Sequence, residues 1–156
     1  MTKLFLLLTA LLLTTPHPAR SPNYAHIPPA QDVKVATWTT GAPDTDNFES
    51  FAFWIKDNKR AYIRYLHGRS PDDIELHWLG PDSIGSRRGF KAAFPAPDNR
   101  TLFIAPVNDS TLLVVTRGQG KKYYWENENA NPESDCDICA VSAIEATMWL
   151  RRYFWN

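Results

Sequence analysis

The sequence predicts a mainly β fold: an antiparallel meander of about eight strands forming a small barrel or strongly curved sheet, with one C-terminal α-helix packed on it. Three observations carry this expectation. Short apolar and β-branched runs recur between Val33 and Glu126 at intervals of about 8–12 residues. Gly, Pro, Asn and Asp clusters separate them, and no stretch of that region keeps a helical period. From Asp135 to Phe154 the pattern changes to one that suits a helix.

The strand candidates are Val33–Thr40, Glu49–Lys56, Arg60–His67, Asp73–Leu79, Gly89–Phe94, Thr101–Ala105, Thr111–Thr116 and Lys121–Glu126. Gly41 to Asp44, Asp57-Asn58, Gly68 to Asp72, Gly80 to Ser86, Pro95 to Asn99, Pro106 to Asp109 and Gly118 to Gly120 read as the breaks. Asp57-Asn58 suits a two-residue hairpin turn. That turn sets Phe53 opposite Tyr62 and Phe51 opposite Arg64. The Gly68 to Asp72 loop sets Leu66 opposite Ile74 and Tyr62 opposite Trp78. One face then collects Phe51, Phe53, Ile55, Tyr62, Leu66, Ile74, Leu76 and Trp78, while Tyr65, His67, Asp73, Glu75 and His77 share the other.

Asn131-Pro132-Glu133 breaks the pattern before the helix. Ser134 fits an N-cap, with Asp137 closing a capping box, and Arg151 and Arg152 suit the last turns. Around the helix, Ser142, Glu145 and Arg152 form a narrow polar stripe, with Trp149 oddly on its side; Val141, Ile144, Met148, Leu150 and Phe154 cover much of the rest.

The N-terminus has the order of a secretory signal peptide. Lys3 supplies a charge, Leu4 to Leu13 an apolar run, and Pro16 to Ala19 a helix-breaking exit. The run is shorter than the roughly 20 residues a bilayer span needs. Residues 1–20 are therefore expected to be a signal peptide, 21–32 an irregular Pro-containing lead-in, and 33–156 a single β domain with its helix at 135–154. The expected location is periplasmic or extracellular, with no membrane span after cleavage.

Lys and Arg number 17 against 17 Asp and Glu, without a basic block, which argues against nucleic acid as a partner. Aromatic residues make up 13% of the chain, a supply that serves cores and binding surfaces alike. Cys136 and Cys139 are the only cysteines; in an oxidising compartment they are expected to form a disulfide. A redox-active thiol is the alternative, since a helix start lowers a thiol pKa. Glu133, Asp135 and Asp137 oppose that shift.

Candidate chemistry is sparse. Arg64, placed by the expected register between Phe51 and Leu76, is positioned to clamp a carboxylate or phosphate inside the barrel. Phe51, Phe53, Tyr62 and Trp78 would line the same ligand site. His67 and His77 lie roughly 13 Å apart in the expected hairpin and cannot share a metal. His67 faces Asp73 in that register, which suits a surface ion pair. Asp44, Asp46 and Asn47 lack the glycine and distal Glu of a calcium loop. Ser83 and Ser86 do not fit a nucleophile elbow. No metal, cofactor or catalytic constellation is expected. Arg87, Arg88 and Lys91 form one basic cluster suited to an acidic partner, and Arg151 to Trp155 mixes Arg with rings in the manner of an interface.

Eight meander strands and a late helix resemble lipocalin-like barrels in architecture. The Gly-x-Trp signature of those proteins is absent at Trp38, where Ala36 stands two residues before. The function expected is an exported, non-catalytic binding domain. It would recognise a protein partner, in the manner of an inhibitor or immunity protein, or a small apolar or anionic ligand. The alternatives are a thiol–disulfide redox protein and a structural subunit of an envelope assembly.

Overall fold

The computed structural model describes residues 32–57, 59–70, 72–127 and 139–156. Eight strands follow one another in space as in sequence: β1 (Asp32–Thr40), β2 (Glu49–Lys56), β3 (Lys59–His67), β4 (Ile74–Ile84), β5 (Arg87–Ala93), β6 (Thr101–Asn108), β7 (Thr111–Thr116) and β8 (Gln119–Glu126). All neighbours are antiparallel, and β1 pairs with β8 through Thr37↔Glu126, Trp38↔Trp125 and Thr39↔Tyr124. The sheet therefore closes into a barrel, followed by helix α1 (Ala143–Phe154). The predicted signal peptide and almost all of the lead-in lie outside the described residues, as does Cys136 and with it the predicted cysteine pairing.

An eight-stranded barrel encloses a space that side chains alone can fill. Here large rings fill it. Phe51, Phe53 and Ile55 alternate inward along β2, and Trp38, Ile63, Phe90, Ile104 and Leu112 join them with no exposure. The rings touch in two groups, one around Phe53 and one around Phe51. Trp38 meets Phe53 edge-on at 5.5 Å, and Phe51 lies 4.9 Å from Tyr123 and 5.0 Å from Tyr65.

The expected β2–β3 register holds only next to the turn, at Lys56↔Lys59 and Ile55↔Arg60. Ala61 and Tyr62 then stand together opposite Trp54, and the pairs beyond become Phe53↔Ile63 and Phe51↔Tyr65. This extra residue is a β-bulge, and it exchanges the two faces of β3. Ile63 and Tyr65 point inward where Tyr62 and Arg64 were expected. Tyr62 lies outside, its ring 5.4 Å from that of Trp54. The β3–β4 pairs are shifted accordingly, to Tyr65↔Ile74 and Ile63↔Leu76, and Ile74 is exposed.

Two expected breaks are strand in their first part and turn only at their ends. Gly80, at φ 132°, sits in a bulge that lets β4 run on to Ile84, so β4 and β5 form a long hairpin turning at Gly85-Ser86. Pro106 likewise sits inside β6, next to a bulge before Asn108.

The helix begins later than expected. Residues 139–142 are not helical, and the N-cap is Ser142, extended at φ −151° and ψ 156°. Its hydroxyl accepts the Glu145 N–H at 3.2 Å, and the Glu145 carboxylate accepts the Val141 N–H at 2.7 Å. That bond keeps Glu145 satisfied although it is buried, so of the expected polar stripe Glu145 turns toward the barrel while Arg152 stays exposed. Trp149 is buried on the same side. Val141, Ile144 and Met148, expected to be buried, are exposed at 66%, 55% and 47%. Among the described residues no helix is long and apolar enough to cross a membrane.

Candidate functional site: an arginine cleft beside the helix end

The two barrel ends differ. At one end lie the β2 start and the β3 end, where the Glu49 carboxylate accepts the Tyr123 hydroxyl hydrogen bond. Lys121 Nζ is 3.1 Å from that carboxylate and His67 Nε2 is 3.8 Å from it. His67 thus faces Glu49 across the ladder rather than Asp73. Desolvation, with the nearby Glu49 charge, pushes the Tyr65 hydroxyl up to about 12 and Tyr123 higher still. These rings and ion pairs cover the end of the core.

The helix covers the opposite end. Phe154 enters the barrel, 5.5 Å from the Phe53 ring and 5.7 Å from Phe90. Trp155 follows, 5.6 Å from Phe90. Thr147 Oγ1 donates to the Asp109 carbonyl in the β6–β7 turn. The end of the helix would otherwise leave carbonyls unpaired. Arg60 donates to the Tyr153 carbonyl and the Trp78 indole donates to that of Phe154, both at 3.1 Å. Burial holds the Arg60 guanidinium below the ordinary arginine pKa. The arginine turned toward the core is therefore Arg60. The bulge puts Arg64 outside, 3.4 Å from Asp73.

The expected ligand residues do not come together around a void. Phe51 and Phe53 are fully packed in the core, Tyr62 is on the outer wall, and Trp78 holds the helix end. A depression of about 330 Å³ lies by Arg64, but Asp72, Asp73 and Glu75 line it and it belongs to the outer surface.

A larger cleft, about 550 Å³, opens where the β4–β5 hairpin meets the end of α1. Ser86, Arg87 and Arg88 come from the hairpin, Pro106 from β6, and Arg151, Trp155 and Asn156 from the helix end. Arg87 is fixed by donating to the Pro106 carbonyl at 2.8 Å. No carboxylate among the described residues pairs with Arg87, Arg88 or Arg151. Lys91, expected in the same cluster, is drawn away: it pairs with Asp82 at 2.9 Å and holds that carboxyl below its ordinary value. Two segments with separate signals, the Arg87-Arg88 pair and the Arg/aromatic C-terminal run, thus form one site. Their meeting depends on how the helix lies across the barrel end, which neither segment encodes alone.

Planar guanidiniums around a recess suit carboxylate or phosphate groups, which they can grip in pairs. Among the described residues no group of three potential metal ligands converges. No known family model matches the chain, no curated protein does, and no solved structure does.

Proposed function

We propose that this chain is an exported, non-catalytic binding domain that holds an acidic segment of a protein partner in the arginine cleft. The observation that carries this reading is the set of three guanidiniums, Arg87, Arg88 and Arg151, gathered from two elements around one recess and paired with no carboxylate among the described residues. Like charges repel, so such a grouping costs stability unless an anion offsets it. The ring-filled core supports recognition on the outer surface over an apolar ligand held inside. In this reading residues 1–20 direct export, and Cys136 and Cys139 form a disulfide after it.

Fluorescence polarisation with labelled twelve-residue peptides tests the reading. A peptide of Glu and Ser is expected to bind saturably, more weakly at high salt, and a Lys and Ser peptide is expected not to bind. Arg88→Ala with Arg151→Ala should weaken the acidic peptide by about tenfold or more. Binding unchanged in that variant, or no discrimination by charge, would refute the assignment.

A further inference from the structure

An arginine open to water gains little from a carboxylate, because solvent screens the pair and competes for it. The surroundings of the cleft bear on this. Ile84 pairs with Arg87 in the hairpin and is 50% exposed, and Val107, next to Pro106, is 38% exposed. On the helix, Met148 precedes Arg151 by one turn and Ile144 lies one turn further back, both on the exposed side. At about 1.5 Å per residue the stretch from Ile144 to Arg151 is roughly 10 Å long, the reach of three or four extended residues. Exposed apolar side chains thus stand on the elements that build the recess, and Ile144 and Met148 share the helix face of Arg151, a track leading toward it.

We infer that the partner segment is amphipathic: one or two carboxylates enter the arginine cleft while large aliphatic side chains beside them cover Ile144 and Met148. This inference rests on the acidic-peptide reading above and specifies the ligand further. The charge fixes the acid in the recess. The aliphatic contacts exclude water from the rim, which lowers the local dielectric and strengthens the ion pairs. A flat anionic membrane is a poorer match, since a recess set between a hairpin and a helix end suits a protruding side chain better than a plane of headgroups.

The test compares two twelve-residue peptides of equal charge, one of Glu and Ser only, the other with two Ser replaced by Leu three residues apart. The Leu-bearing peptide should bind about tenfold tighter or more. Ile144→Ser with Met148→Ser, both at exposed positions, should erase that gain and leave the Glu/Ser peptide unchanged. Arg88→Ala with Arg151→Ala should weaken both. Equal affinity of the two peptides, or a gain that survives in the helix variant, overturns the inference and leaves the acidic-peptide reading standing. If neither peptide binds, both fall. Co-sedimentation with phosphatidylglycerol vesicles that depends on Ile144 and Met148, or a dimer that the helix variant dissolves in sedimentation velocity, would assign the surface to another occupant and equally overturn it.

Discussion

The Arg60 guanidinium sits 3.2 Å from the centre of the Trp78 ring, and the two side chains donate to the consecutive carbonyls of Tyr153 and Phe154. Strands β3 and β4 thereby grip the helix at its last turn. The clamp also holds the end of the helix, whose Arg151 and Trp155 line the cleft together with the hairpin arginines.

Breaking the clamp should loosen the helix end before it unfolds the barrel. Trp78→Phe keeps a ring under Arg60 but removes the indole donor, and should cost about 1 kcal/mol. Arg60→Met removes both the donor and the cation, and should cost about 1–2 kcal/mol. Because the two side chains touch, the double variant should lose less than the sum of the singles. Urea unfolding of the four proteins gives the coupling. Strict additivity would mean that the stacked pair does not act as a unit.

Phe154 is the end of the ring column, in contact with Phe53 and Phe90 and without exposure. Truncation to Ala should cost about 3–5 kcal/mol, the range for a deeply buried aromatic side chain. Met148→Ala, at a side chain 47% exposed on the opposite side of the same helix, should change stability by less than about 0.5 kcal/mol. Similar losses at the two positions, measured by thermal denaturation, would contradict the orientation of the helix.

The sequence was most legible where periodicity and turn chemistry acted alone. Strands β2 and β7 begin and end where their breakers imply, and the eight-strand meander follows from spacing. It was least legible where one residue changes the count. Nothing in Ala61-Tyr62 distinguishes a bulge from regular strand, yet that residue moves Arg64 outside and leaves Arg60 to face the core. The helix start is hard to read for a related reason. Ser134 and Ser142 both have an acid three residues on, and Ser142-x-x-Glu145 is the stronger capping pair by composition. An earlier start leaves Glu145 as one more charge of a polar stripe, whereas its bond to the Val141 N–H lets it be buried. The cleft combines two local signals whose proximity is set only by tertiary packing.

The helix start gives a direct check on that capping pair. Ser142→Ala should cost about 1 kcal/mol in urea unfolding, and Ser142→Asp should restore most of it. No loss at Ser142 would mean that its hydroxyl does not cap the helix.

Gly89 tests the closeness of β5 and β6. A methyl group built there would overlap the Ile104 carbonyl and press on the Ala105 Cβ, so backbone would have to move. Gly89→Ala should therefore destabilise by about 1–3 kcal/mol, in the manner of an overpacked core. At Gly85, with a φ of 60° and nothing near its missing Cβ, the cost of alanine should come from backbone strain alone. Asn at Gly85, which tolerates the left-handed region, should recover part of the loss, whereas Asn at Gly89 should deepen it. Chemical unfolding of the four variants separates the two causes.

The far end of the barrel predicts an alkaline limit to stability. Burial and the Glu49 carboxylate raise Tyr65 from 10.0 to about 12, and raise Tyr123 further. Both hydroxyls hold their protons more tightly in the folded chain than in the unfolded one. Above pH 10 the folded state therefore binds more protons, and stability must fall as pH rises. The contribution is complete below about pH 10 and is lost as pH passes through the raised values. In a titration followed at 295 nm, two of the six tyrosines should ionise late, together with unfolding. Tyr123→Phe keeps the ring on Phe51 but removes the hydroxyl bonded to Glu49, so one late phase should vanish and the alkaline decline should become shallower. A wild-type titration with all tyrosines ionising together near 10 would show that this end of the barrel is open to water.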